Sequence, residues 1–236
     1  MSHIITKDEY FAALDDEKTK SILDRTNRQA MDLKHIQDAW ILYRLRDAEG
    51  LKILEIGGGH SRALRFLADR NEIWNLDDFG SVGTPRVDRK VPNIPGIKIV
   101  PEMLGSFSKE VPDGYFDVVV SISVIEHVPI SVFPDFWSDH ARVMKADGIA
   151  YHAIDFYVGD EEAQAVERRF DDMFSAWKEV GLVPQQLSLE RPVVFRSYFA
   201  SNPDYGMWSW NSYAPQLAYM RSVAQSVSFG AVLRRV

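Results

Sequence analysis

Apolar residues fall along the chain in short dense runs, and between the runs they recur at helical spacing. The first run, Leu51 to Ile56, passes through Glu55 into Gly57, Gly58 and Gly59 and then into a helical pattern that reaches Leu67. Asn71 to Leu76 reads as a second strand, closed by Asp77. From Phe116 to Val120 every residue but Asp117 is apolar, the mark of a central parallel strand buried on both faces, and Pro112-Asp113-Gly114 supplies the turn before it. Lys145-Ala146-Asp147-Gly148 ends a helix and leads into a strand from Ile149 to Asp155. Glu161 to Val180 carries Phe170, Met173, Phe174 and Trp177 on one side, so a helix stopped by Gly181 is predicted there. Leu182 to Leu189 and Ser226 to Val236 are the last two strand candidates. Upstream, Thr26 or Asn27 can cap a helix with Met31, Ile36, Trp40, Leu42 and Tyr43 near one face, ended by Gly50. Strands alternating with helices predict an open α/β sheet.

The glycines at 57, 58 and 59 allow positive φ and remove side chains that would block a ligand, and the helix after them is expected to aim its free N–H groups at the same spot. A nucleoside-bearing cofactor fits such a turn. A dinucleotide enzyme wants G-x-G-x-x-G, but Arg62 stands where the third glycine belongs. Glu55, two residues ahead of Gly57, would repel a pyrophosphate and suits a ligand with a nearby ammonium group, such as S-adenosylmethionine. Read as E-x-G-x-G-x-G with Ser61 in the last place, Glu55 to Ser61 resembles the first motif of class I S-adenosylmethionine-dependent methyltransferases.

Asp77 follows Glu55 by 22 residues, where doubly wound folds place an acid that accepts ribose hydroxyls; its neighbour Asp78 reads as a solvated turn residue. The string PDGYFDVVVSISVIEHVP resembles the same superfamily, in the branch of quinone and small-molecule methyltransferases with FDxV followed by an EH pair. The KADG turn is similar to the family's K-P-G-G. The resemblance spans about residues 50 to 155. It implies a Rossmann-like fold, a seven-stranded, mostly parallel sheet whose last strand inserts antiparallel between the fifth and sixth, with an N-terminal helical arm over 1–47 and the methyltransferase domain over 48–236. It further implies S-adenosylmethionine as cofactor, held by Glu55, Gly57, Gly58, Gly59 and Asp77, with Ser121 and Glu126 beside it. Where the family often carries an acid for the adenine amino group this chain has Gly105, so the backbone of Leu104 and Gly105, or Glu102 from a shifted register, is expected to serve.

Composition narrows the partners. With 27 Lys plus Arg against 34 Asp plus Glu the net charge is −7, which argues against nucleic acid and anionic membranes as partners. Zero cysteines exclude disulfides and thiolate metal sites, and no metal is expected. No apolar run approaches the ~20 residues of a membrane helix, and the start MSHIITKDEY lacks a signal peptide's apolar core, so a cytoplasmic protein is expected.

Methyl transfer from a sulfonium needs alignment, exclusion of water and, for a hydroxyl acceptor, a base. Among six histidines, His127 lies just past the carboxyl end of the fourth strand, where open α/β sheets place their ligands. His127 is the first candidate base and Asp155, ending the fifth strand, the second. His60 is in the glycine turn, His140 reads as a surface or packing residue and His152 as core. Residues 191–222, with Arg191, Arg196, Tyr198, Tyr205, Trp208, Trp210, Asn211 and Tyr213, form a long connection that serves either as a lid for an anionic or sugar-like acceptor or as a contact in a homo-oligomer. Asn202-Pro203-Asp204-Tyr205 looks like the N-P-P-Y grip of base-flipping methyltransferases but stands far from its place after the fourth strand, and reads as a turn. The expected function is O-methylation of a small molecule. A cofactor-binding protein without turnover, or a nicotinamide-dependent oxidoreductase, are the alternatives.

Overall fold

The computed structural model describes residues 1–26, 33–80, 90–159, 163–201, 215 and 225–236. Five parallel strands form its centre: β2 (Lys52–Ile56), β3 (Glu72–Leu76), β4 (Ile97–Val100), β5 (Phe116–Ile122) and β6 (Met144–Val158). With β1 (His3–Ile4) and the C-terminal β8 (Gln225–Arg235) the order is β1-β8-β6-β5-β2-β3-β4, and β7 (Leu182–Pro184) also pairs with β8. β8 runs antiparallel to β6 on one side and to β7 and β1 on the other. The last strand thus lies where expected, and β1 adds an eighth strand from a segment expected to be helical arm.

Period-two alternation divides the core between the two faces of the sheet. Leu54, Ile56, Trp74, Leu76, Phe116 and Val119 pack with α4 (Phe133–Val143) and α5 (Ala163–Glu179). Ile53, Ile73, Val118, Val120 and Ile122 pack with α1 (Lys7–Asp15), α2 (Glu17–Leu23) and α3 (Leu33–Leu45). On the first face Trp137 of α4 meets Trp177 of α5 edge to face at 5.6 Å, both fully buried, each stabilising the fold by roughly 1.5–3 kcal/mol or more through area removed from water. On the second, Gly230 of β8 lets α3 lie close: a Cβ there would stand 2.5 Å from Trp40 Cζ2. α1 starts at Thr6 with a reciprocal capping box to Glu9.

Three expectations about elements change. The helix after the glycines is a 3₁₀ turn, Leu64–Leu67; Leu64 and Leu67 are fully buried, and one turn suffices to seat both, so no α-helix N-terminus points at the loop. Lys145–Gly148 is part of β6, bulged out between the pairs Phe116–Met144 and Val118–Ile149. The strand after Gly181 ends at Pro184, well short of Leu189. The Thr26 hydroxyl donates to the Leu23 carbonyl (2.8 Å) at the end of α2; Asn27, Met31 and the expected start of the next helix lie outside the described residues. No helix among the described residues is long and apolar enough to cross a membrane.

Candidate cofactor and acceptor site

The chain leaves β2 into a loop whose backbone is tied to β3. Gly57 N–H donates to the Leu76 carbonyl (2.9 Å) and Gly58 N–H to Asn75 Oδ1 (3.1 Å). Asn75 Nδ2 returns a bond to the Gly59 carbonyl (2.9 Å), and Gly59 N–H donates to Asp77 Oδ2 (2.8 Å). Asp77 Oδ1 accepts from Phe79 N–H (2.7 Å), and a carboxylate with one donor on each oxygen still has lone pairs for two hydroxyls. Asp78, exposed, accepts from Gly80 N–H, the turn role expected of it. Gly59 is left-handed (φ +54°), and a Cβ built on it meets nothing within 4 Å, so the loop is open there.

Glu55 is buried beneath this loop rather than on its open side. Burial raises its pKa to about 7, against the opposing influence of Ser61 and Arg62, and Oε2 has no hydrogen-bond partner. Arg62 grips Asp38 of α3 through Nε and Nη2, both at 2.8 Å. After β4, Leu104 is buried and Gly105 is left-handed (φ +97°). The Gly105 N–H is taken by Asp139 Oδ2 (2.7 Å), which also accepts from Phe107 N–H (3.1 Å), so the expectation that this amide reads adenine needs correcting. Glu102 accepts from the Ser106 hydroxyl (3.1 Å).

At the carboxyl end of β5 the chain turns through left-handed Ser123 (φ +53°) into a 3₁₀ turn, Ile125–His127. Arg169 pins that turn, donating to the carbonyls of Ile125 and Val128. Glu126 carries two buried, unpartnered oxygens, and burial together with the Asp155 charge pushes its pKa well above the usual carboxylate range. His127 Nε2 lies 3.8 Å from Glu126 Oε1, with the imidazole partly exposed. Burial and the Lys34 and Arg169 cations lower its pKa, so the neutral ring is favoured. Asp155 is held by Lys34 Nζ (3.1 Å) and Gln37 Nε2, with Ser123 Oγ 3.0 Å away. Gln37, fully buried on α3, also donates to Ser228 Oγ of β8 (2.9 Å) and accepts from Ser123 (2.8 Å).

The structure therefore brings Glu126, His127 and Asp155 to one edge, with the glycine loop and Asp77 on the adjoining strands. Ser121, expected at the cofactor, is turned into the core: its hydroxyl pairs with His152 Nδ1 (2.8 Å), because on a strand it faces the side opposite its neighbours. His140 is fully buried too, its Nε2 3.1 Å from His152 Nε2. His60 is exposed in the loop. Of the expected lid, Arg191 bonds Asp171 (2.6 Å) and faces Glu167 (3.3 Å), and Arg196 pairs with Glu190 (3.1 Å), so carboxylates already oppose both charges. Tyr205, Trp208, Trp210, Asn211, Tyr213 and the Asn202–Tyr205 string lie outside the described residues. Sequence reasoning missed Lys34, Gln37, Asp38 and Asp139; the only available signal was polar residues set within apolar helical faces.

No curated protein sequence matches the chain. Among solved structures, a geranyl diphosphate methyltransferase in complex with S-adenosylmethionine is similar at 11% identity, over 98% of this chain and 96% of that one, with a TM-score of 0.57. The YcgJ protein of Bacillus subtilis is similar at 12% identity, over 86% and 99%, with a TM-score of 0.56. A candidate sarcosine dimethylglycine methyltransferase from Galdieria sulphuraria reaches 17% identity over 84% of each chain and a TM-score of 0.53. These likenesses show the fold. Residues 54–152, from β2 through the middle of β6, match the family model described as a methyltransferase domain.

Proposed function

We propose that the chain methylates a hydroxyl group of a small-molecule acceptor. One observation carries this reading: at the carboxyl edge of β5 and β6 an imidazole biased to its neutral form, His127, stands beside the Glu126 and Asp155 carboxyls. S-adenosylmethionine, when bound, supplies an electrophilic methyl carbon. The loop residues fit it, since Gly59 leaves the loop open and Asp77 keeps spare acceptor capacity for ribose. The exit from β4 around Leu104 and Gly105 would flank the adenine. Neutral His127 would take the hydroxyl proton, and Asp155, fixed by Lys34 and Gln37, would hold the wall on which the acceptor lies. Similar structures are named for unlike acceptors, so none is carried over.

Calorimetry with S-adenosylmethionine and with NAD, followed by product detection on parallel panels of hydroxyl and amine acceptors, tests the reading. Binding of S-adenosylmethionine alone and methylation of hydroxyls are expected. Methylation confined to amines would overturn the acceptor assignment, and binding without turnover on any acceptor would favour a non-catalytic role.

A further inference from the structure

Arg62 has no part in the function just proposed, yet it makes a bidentate ion pair with Asp38, whose carboxylate is fully buried on α3. The adjacent residue of α3, Gln37, reaches the same loop by another route. It accepts from Ser123 Oγ (2.8 Å), and Ser123 leads into Val124, which fills the space beside Gly57: a Cβ on Gly57 would stand 2.7 Å from Val124 Cγ2. Two successive side chains of one helix thus brace the glycine loop, Gln37 at its entry and Asp38 at its exit. Asn75 and Asp77 hold Gly58 and Gly59 from below, and the loop leads into a 3₁₀ turn instead of an α-helix.

We propose that Asp38 and Arg62 are positioning residues for the cofactor: their ion pair fixes the exit of the glycine loop in its binding shape, so docking of α3 and cofactor binding are coupled. The inference rests on the reading that this loop holds S-adenosylmethionine. Neither residue has to touch the cofactor. Coupling of this kind is reciprocal, so a docked α3 that tightens cofactor binding must itself be tightened by the cofactor.

The test combines calorimetry of S-adenosylhomocysteine with amide hydrogen exchange across Leu33–Leu45, on the full chain and on two variants. Arg62→Met leaves the Asp38 carboxylate buried without a partner and can cost folding. The double variant Asp38→Leu/Arg62→Met leaves no buried charge behind, and its melting temperature reports whether it folds. In the unaltered chain S-adenosylhomocysteine is expected to slow exchange in α3. In the folded double variant affinity is expected to fall about tenfold or more, with the exchange response of α3 lost. A folded double variant that binds as tightly as the unaltered chain, or an α3 whose exchange ignores the ligand, overturns the inference alone. Failure of the unaltered chain to bind overturns the cofactor reading and this inference with it.

Discussion

Gly58 sits directly on the Glu55 carboxyl: a Cβ at Gly58 would lie 2.5 Å from Glu55 Cδ and 2.6 Å from Oε2. The contact seals the acid away from water, and burial raises its pKa from 4.5 to about 7. Between those values the folded chain keeps a proton that the unfolded chain has lost, so this group makes the protein less stable as pH rises. From pH 5 to pH 8 the loss is roughly 2–3 kcal/mol. Glu55→Gln has nearly the same shape and no titration, so urea unfolding of the ligand-free variant should lack this part of the pH slope. Parallel profiles for the two proteins would mean that Glu55 is ionised throughout.

Asp77 holds Gly59 N–H and Phe79 N–H and is the proposed ribose acceptor. Asp77→Ala should weaken S-adenosylmethionine binding by about tenfold or more, since a charge-assisted hydrogen bond contributes ~1.5–3 kcal/mol. Asp78→Ala, which removes only an exposed turn acceptor, should leave affinity near that of the unaltered chain. Equal affinity of all three in calorimetry would remove Asp77 from the site.

What the chain states in advance is what burial on two faces or a missing side chain imposes. The central strands are legible because Val118, Val119 and Val120 face opposite cores and must all be apolar. The loop is legible because any side chain at Gly57 or Gly58 would collide with Val124 or Glu55. Asp38 and Gln37 are not, since a polar residue on a helix reads as solvent-facing until Arg62 and Ser123 arrive from distant segments to pair with them. Ser121 has the right place on the strand but the wrong side. Asp139, which takes the Gly105 amide, comes from α4, far along the chain.

His140 and His152 stand Nε2 to Nε2 at 3.1 Å in the core, so one Nε2 must carry the hydrogen and the other accept it. Burial lowers the pKa of His140 from 6.5 to about 3; burial and then His140 hold His152 well below its usual value. A depressed histidine stabilises the fold above its unfolded pKa, and that contribution is lost as pH falls from 6.5 toward the folded value. For His140 the loss reaches roughly 2–3 kcal/mol by about pH 4.5. His140→Gln should therefore flatten the acid side of a denaturation profile while costing stability at pH 7. An acid limb as steep as that of the unaltered chain would place the acid sensitivity elsewhere.

His127 is the residue on which the proposed chemistry turns. If it takes the acceptor's proton, His127→Ala should lower the methyl-transfer rate by roughly 10²–10⁴ and leave cofactor affinity nearly intact, because losing a base acts on the transition state. Burial, Lys34 and Arg169 lower its pKa against the opposing Asp155 carboxylate, so the neutral ring persists below the ordinary histidine value of 6.5. The rate should accordingly hold through that pH and fall only under more acid conditions. Lys34→Met removes one of the cations and should move the fall to higher pH, a displacement in single-turnover rates that a purely structural histidine would not produce. Should His127→Ala keep its full rate, or should it bind the cofactor poorly, the histidine belongs to the turn that Arg169 pins. Asp155, at the same edge, then becomes the candidate base, with Asp155→Asn the variant expected to lose turnover.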